Sequence, residues 1–274
     1  MIWDDAPQPA PARFSASDWL RVAIRGPILA SVVFGPLVVL LTLRLVERPI
    51  HGVQRPWTPW ITQGVCKTAF RVLGMGRVVR GAPMRGTGAV VANHSSWLDI
   101  FALNASKRVY FVSKSEVAGW PGIGWLARAT GTVFIRRDRR DARAQQALFE
   151  DRLRAGHRLL FFPEGTSTDG RRVLAFKPTL FEAFFSAGLP GMQVQPVTVA
   201  YHAPPGADAA FYGWWGDMGF AEHMLRMLAA PRHGRVEIVY HPPIEVAATG
   251  GRKALARITE TVIRAELEAQ GIAP

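Results

Sequence analysis

VANHSSWLDI, residues 91–100, sets His94 and Asp99 five positions apart beside two serines, directly after the apolar run Gly88–Ala92. The run is short and β-branched enough to be a buried strand. Ser96-Trp97-Leu98-Asp99 fits the [ST]-x-x-[DE] pattern of a capped helix start, with Asp99 reaching back to unpaired amides. The stretch therefore reads as strand, turn, helix. On that reading alone His94 is an ordinary loop residue. The competing reading makes His94 a general base and Asp99 its orienting acid, and the rest of the chain has to decide between them.

Working outward, the chain beyond about residue 76 alternates short apolar runs with helical stretches. The runs are Arg77–Arg80, Gly88–Ala92, Val109–Val112, Thr132–Arg136, Arg158–Phe162, Val194–Tyr201 and Arg235–His241. Helical patterns fall near Trp97–Asn104, Asp141–Ala155, Pro178–Ala187, Ala221–Ala229 and Arg252–Ala269. This alternation predicts an α/β fold, a central mixed sheet flanked by helices, with functional loops gathered at strand ends. Pro204-Pro205-Gly206 and Pro242-Pro243 read as loops inside one domain. The expected organisation is a helical membrane-associating region over 1–76 and an α/β domain over 77–274.

The N-terminal region is the sharpest break in composition. GPILASVVFGPLVVLLTL, Gly26 to Leu43, carries no charge over 18 residues, the short end of a membrane-spanning length. Asp4 and Asp5 ahead of it, and no clean cleavage site after it, argue against a signal peptide. Gly35-Pro36 interrupts the segment at its middle. Arginines flank both ends, whereas a simple span biases its cations to one side. The expectation is a bent or re-entrant hairpin dipping into one leaflet from the cytoplasm, with a second amphipathic piece, Trp57–Met75, alongside. The alternative is a buried core helix. Lys and Arg total 33 against 21 Asp and Glu, a net charge of +12, which predicts attraction to polyanions: anionic membrane, acidic carrier protein or nucleic acid. With Cys66 as the single cysteine, intrachain disulfides and cysteine metal clusters are excluded.

Three further segments can carry chemistry. FFPEGTSTDG, Phe161–Gly170, runs from an apolar strand into Pro163, which sets Glu164 at a strand end. The amides and hydroxyls of Gly165, Thr166, Ser167 and Thr168 can cradle an anion or polar head group; a polar turn is the plain alternative. GTVFIRRDRRDAR, Gly131–Arg143, starts its arginines in the last turn of a strand, so Arg136 and Arg137 face opposite sides. VQPVTVAY places Pro196 where a central strand normally excludes proline. There is no G-x-S-x-G elbow, no Walker phosphate loop and no H-E-x-x-H zinc helix. His94 is left as the best general base, because an imidazole of pKa about 6.5 takes a proton at neutral pH.

Together these segments resemble the glycerophospholipid acyltransferase family, which includes bacterial 1-acylglycerol-3-phosphate acyltransferases. Its N-H-x-x-x-x-D motif is matched by Asn93, His94 and Asp99, and its G-x-x-F-I-x-R segment by Gly131, Phe134, Ile135 and Arg137. F-P-E-G-T is matched from Phe162 to Thr166, and a proline-containing apolar strand around Pro196. Lys114-Ser-Glu116, with Pro121 and Gly124, resembles the stretch between the first two motifs. Order and spacing agree over roughly residues 75–200. One departure stands out: where phosphate-handling members read E-G-T-R, this chain has Ser167. An arginine fork suits phosphate, so its loss puts a phosphate-bearing acceptor in doubt unless Arg137, Arg171, Arg172 or Lys177 substitutes. The longer stretches around these motifs look more like the branch that acylates lyso-ornithine lipid, a phosphorus-free acceptor.

The resemblance implies transfer of a fatty acyl group from a thioester, on acyl carrier protein or coenzyme A, to a lipid hydroxyl at the cytoplasmic face of a bacterial inner membrane. The acceptor is then lyso-ornithine lipid, or alternatively 1-acylglycerol 3-phosphate. His94 would deprotonate the hydroxyl and Asp99 would hold the imidazole, with no metal and no cofactor beyond the acyl donor. Asn93, Lys114, Arg137, Glu164, Gly165, Thr166 and Ser167 would bind substrate. Nucleic acid is not an expected partner, since the arginines are spread through the chain and form no stripe.

Overall fold

The computed structural model describes residues 3–86, 88–135, 142–186 and 189–272. It opens with α1 (Ala16–His51), a continuous helix of 36 residues, about 54 Å long at 1.5 Å per residue. Ser15 and Asp18 form a reciprocal capping box at its start. The expected break at Gly35-Pro36 does not occur. Gly26 and Gly35 precede Pro27 and Pro36, and without a Cβ the pre-proline residue escapes part of the clash that forces others out of the helical region.

The chain turns back at residues 52–57. There Glu47, fully buried, accepts the amides of Trp57 (2.7 Å) and Thr58 (3.1 Å), the Thr58 hydroxyl (2.7 Å) and the Arg44 guanidinium (3.1 Å). A carboxylate on α1 thus caps the start of α2 (Thr58–Leu73) and locks the two into a hairpin. Apolar side chains such as Leu20, Val38, Leu45 and Ile50 remain exposed along α1. Its length and composition suffice to cross a membrane.

The strands are β1 (Gly76–Arg80), β2 (Gly88–Ala92), β3 (Tyr110–Lys114), β4 (Val133–Ile135), β5 (Leu159–Phe161), β6 (Gln193–His202), β7 (Arg235–Tyr240) and β8 (Ile244–Glu245). They form one mixed sheet in the order β1-β7-β6-β2-β5-β3-β4, with β8 added to β6. From β6 through β2, β5 and β3 to β4 all neighbours are parallel; β7 and β8 run antiparallel to β6. β2 and β5 are buried on both faces, which is why they read as continuous apolar runs without alternation. Gly88 is required where it stands, because a Cβ there would lie 1.9 Å from the Gln193 carbonyl oxygen. Pro196 interrupts no ladder: β8 pairs with Gln193 and Val194, β7 pairs from Val197 onward, and the proline falls between them.

The remaining helices are α3 (Leu98–Ser106), α4 (Ile123–Thr130), α5 (Ala142–Arg154), α6 (Glu182–Ser186), α7 (Phe220–Ala229) and α8 (Arg252–Ala269). One core joins the sheet to α1, α2, α3 and α7, and a second joins it to α5, α6 and α8. Sequence pattern missed α4 and β8, since eight residues between two glycines and two residues after a Pro-Pro pair both read as loop. The carboxyl ends of β2, β5, β3 and β4 share one edge, where open sheets of this type place their sites.

Candidate active site

β2 delivers the site. It ends at Ala92, and the chain leaves the sheet through Asn93 and His94 before α3 begins. Asn93 is buried: its amide donates to the Val199 carbonyl (2.9 Å) and its oxygen accepts the Val199 amide (2.8 Å). The side chain prolongs the β2–β6 pairing past the last strand residue, with its oxygen and its nitrogen each bonded to Val199. His94 follows with a carbonyl that accepts the Thr168 amide (3.0 Å) and an amide that donates to Glu164 (2.7 Å).

Asp99, fully buried in the first turn of α3, collects four donors. One oxygen accepts from His94 Nδ1 (2.7 Å) and from the amides of Ser95 (2.8 Å) and Ser96 (3.1 Å). The other accepts from the Tyr201 hydroxyl (2.7 Å). Asp99 therefore caps the helix and orients the histidine with the same carboxylate. The bond to Asp99 puts the proton on Nδ1 and turns the lone pair outward on Nε2. The ring stacks on Phe162, centroids 4.0 Å apart and 11° from parallel. It is 18 % exposed, and Nε2 has no protein partner among the described residues. A neutral imidazole with a fixed tautomer, a braced ring and an open Nε2 is equipped to take a proton from a bound hydroxyl.

Glu164 stands at the end of β5, 2 % exposed. Its oxygens accept the amides of His94 and Leu174 (2.7 and 2.8 Å), so it ties the histidine turn to the segment after Gly170. Burial pushes its carboxyl up to about 8, against the lowering pull of those two amides. Gly165, Thr166 and Ser167 continue this turn half-buried at the same edge. Among the described residues, the amides of Thr166 and Ser167 meet no acceptor. Lys114 ends β3 on this edge, half-buried. Arg137 lies outside the described residues. Cys66 is buried away in α2, where burial pushes its thiol up to about 12, too high for a thiolate nucleophile.

Tyr201 and Phe162 complete the pair's surroundings, and neither was singled out as a site residue. Burial and Asp99 hold the Tyr201 phenol well above its ordinary value, so it is a permanent donor. No local pattern in VQPVTVAY marks it: only with β6 parallel to β2 and Val199 beside Asn93 does a residue two positions on reach past the end of β2 toward Asp99.

The geometry is that of a candidate acyl-transfer site: a histidine–aspartate pair on a strand-to-helix turn at the carboxyl edge of an α/β sheet. Residues 76–200 match the Acyltransferase family. The chain is 57 % identical to lyso-ornithine lipid O-acyltransferase of Rhodobacter capsulatus over 96 % of both proteins. It is 38 % identical to the enzyme of that name from Brucella abortus, covering 73 % of this chain and 76 % of that one. It is also 33 % identical to 1-acyl-sn-glycerol-3-phosphate acyltransferase of Neisseria gonorrhoeae, covering 73 % and 77 %. The fold matches the 1-acyl-sn-glycerophosphate acyltransferase of Thermotoga maritima with a TM-score of 0.65 over 93 % of this chain and 96 % of that one, at 22 % identity. The chain belongs to the acyltransferase family of lysolipid-acylating enzymes, and it is an acyltransferase.

Proposed function

We propose that the protein transfers a fatty acyl group from acyl carrier protein to the hydroxyl of lyso-ornithine lipid. Identity with the Rhodobacter capsulatus enzyme across nearly the whole chain carries this reading. The turn after Glu164 supports it. Ser167 stands where a phosphate-clamping arginine would, and the neighbouring cations are engaged elsewhere. Arg172 pairs with Asp169 (2.8 Å) and lies over Trp3, while Arg171 turns its Nε to the Ile272 carbonyl (3.4 Å). Lys177 packs over Gly165 in the same turn.

In the proposed step, His94 Nε2 removes the hydroxyl proton as the oxygen attacks the thioester carbonyl. The ester C–O bond forms, the C–S bond breaks, and the proton passes from His94 to the departing sulfur. Asp99 stabilises the imidazolium in between. The free amides of Thr166 and Ser167 receive the developing oxyanion. Glu164 and Asn93 hold the two turns in register from inside, Lys114 serves the acceptor or the donor from the same edge, and Arg137 is assigned to substrate binding on the sequence motif alone. No metal or prosthetic group is needed.

At the membrane, α1 is bound along its length to the domain. Arg21 and Arg25 reach the carbonyls of Ala229 and Leu228 near one end (2.6 and 3.1 Å), and Arg55, just past the other, reaches the Ala129 carbonyl (2.5 Å). A helix held this way suits attachment in the plane of the cytoplasmic leaflet of the inner membrane. Arg85, Lys107, Arg108 and Arg158 cluster at the amino edge of the parallel strands, and burial, reinforced by the three arginines, lowers the Lys107 pKa. Arg108 stacks on exposed Trp60 (4.4 Å), a pairing suited to anionic head groups.

The test supplies purified protein with labelled acyl carrier protein and either lyso-ornithine lipid or lysophosphatidate. Acylation of the ornithine acceptor at least tenfold faster is expected; preference for lysophosphatidate overturns the acceptor assignment.

A further inference from the structure

We propose that Trp3, on the non-helical strap of residues 3–15, is a positioning residue for the acyl-transfer site. The proposal rests on the reading of His94 as the base. Trp3 lies outside the matched family segment and is 7 % exposed, although it stands near a chain end where side chains are usually loose.

Trp3 touches two supports of the catalytic turn at once. Its ring packs on Trp215 (centroids 6.3 Å) and lies under the Arg172 guanidinium (5.0 Å). The residue next to Trp215, Trp214, donates its amide to the Ser95 carbonyl (2.8 Å). Arg172 in turn grips Asp169, whose neighbour Thr168 donates its amide to the His94 carbonyl (3.0 Å). The carbonyls of His94 and Ser95 are thus each held by a segment that Trp3 braces from behind. Those segments also touch each other: a Cβ on Gly213 would lie 2.6 Å from the Asp169 carbonyl oxygen, so the backbones are in direct contact.

Polar ties fix the strap over this junction. The Gly216 amide donates to the Trp3 carbonyl (3.1 Å) and the Trp215 indole N–H to the Ala6 carbonyl (3.1 Å). Gln8 donates to Asp217 (2.7 Å), and Arg226 donates to the Ala10 carbonyl (2.8 Å). The 213–218 turn is held between the strap and the catalytic turn. It also carries Trp214, which meets Trp120 and Phe220 edge-on (both 6.2 Å) beside the site. Loss of the Trp3 ring frees this turn to shift, and small misplacements of a general base are costly in rate.

The experiment compares Trp3→Ala, Trp3→Phe and Gln8→Ala with the unaltered protein. It measures kcat and KM for acyl transfer, thermal unfolding, and amide hydrogen exchange at Thr168 and Trp214. Trp3→Ala is expected to lower kcat about tenfold or more with KM within twofold, and to speed exchange at both amides. Trp3→Phe should restore most of the rate, and Gln8→Ala should show a smaller loss of the same kind. Unchanged exchange and turnover in Trp3→Ala overturn the proposal. So does a rate loss that follows a lowered Tm and is not restored by phenylalanine. If Trp3→Ala does not fold, normal exchange at both amides in Gln8→Ala overturns it. Exchange is read without turnover, so a wrong assignment of His94 leaves this result standing.

Discussion

Two turns meet at the carboxyl edge of the sheet, and they are built on opposite plans. In the turn from His94 to Asp99 nearly every polar group is spent internally: Asp99 takes four donors, and the amides of His94, Ser95 and Ser96 all end on carboxylates. In the turn from Glu164 to Arg172, buried Glu164 and Asp169 anchor the two ends, while the amides of Thr166 and Ser167 between them meet no acceptor among the described residues. The first turn is preorganised and presents His94 Nε2, while the other unpartnered polar side-chain atom among its described residues, Ser95 Oγ, is buried. The second is a frame with a vacant middle. Under the proposed mechanism, reaction chemistry belongs to the rigid turn and the choice of acceptor to the open one. Substitutions in the two should therefore fail differently, the first in kcat for every acceptor and the second in the ratio between acceptors.

The largest effect is expected from His94→Ala. Removing the base should cost two to four orders of magnitude in kcat, on the order of 10²–10⁴, with either acceptor and with unfolding temperature nearly unchanged. Near-normal turnover would remove the distinction between the turns. Asp99→Asn is the sharper probe. An amide oxygen placed toward His94 still accepts from Nδ1, Ser95 and Ser96, and the Tyr201 hydroxyl can rotate to accept from the new NH2 group. The tautomer is then kept and only the charge that steadies the imidazolium is lost. A fall of about 10²-fold is expected, less than the roughly 10⁴-fold seen where the tautomer is lost as well. A fall as deep as that of His94→Ala would show that the aspartate sets the tautomer after all.

The same contrast explains what was legible in the sequence. His94 and Asp99 are five residues apart, so their partnership is local and a motif records it. β2, β5 and most of β6 were legible for a similar reason, since burial on both faces leaves an apolar run. The Tyr201–Asp99 bond joins residues 102 positions apart and depends on strand order, which no local pattern carries. Asn93 shows a subtler limit: its place in the motif was plain, but its use on Val199 needs β6 beside β2. The expected hairpin was misplaced because Gly35-Pro36 was read as a breaker. The true turn at 52–57 depends on Glu47, whose partners Trp57 and Thr58 lie ten and eleven residues on.

Ser167→Arg tests the open turn. Restoring the guanidinium supplies a bidentate clamp for phosphate, so the rate ratio of lysophosphatidate to lyso-ornithine lipid should rise about tenfold, with unaltered dependence on His94. A general loss for both acceptors would instead mean that Ser167 belongs to the rigid machinery. Tyr201→Phe belongs to the first turn. It strips one donor from a buried carboxylate, which costs about 1–3 kcal/mol, and a loss of kcat of about tenfold is expected without any change in acceptor preference.

For turnover the smallest effect is expected at Glu164, the group the two turns share, whose signature is in stability against pH. Its carboxyl stands at about 8 in the fold and near 4.3 in an unfolded chain. A carboxyl raised in this way favours folding in its neutral form. The contribution is complete below about pH 4.3 and is lost progressively as pH rises to about 8, at up to about 1.4 kcal/mol per pH unit. Glu164→Gln has no proton to lose, so its Tm should decline less steeply between pH 5 and 8 than that of the unaltered protein. The substitution also turns one amide NH2 group against the backbone N–H of His94 or Leu174, which lowers Tm at every pH. A difference in slope on top of that constant offset is the signature of titration. Parallel pH profiles would show that the two amide donors keep Glu164 ionised throughout, and the clamp between the turns would then be a fixed charge.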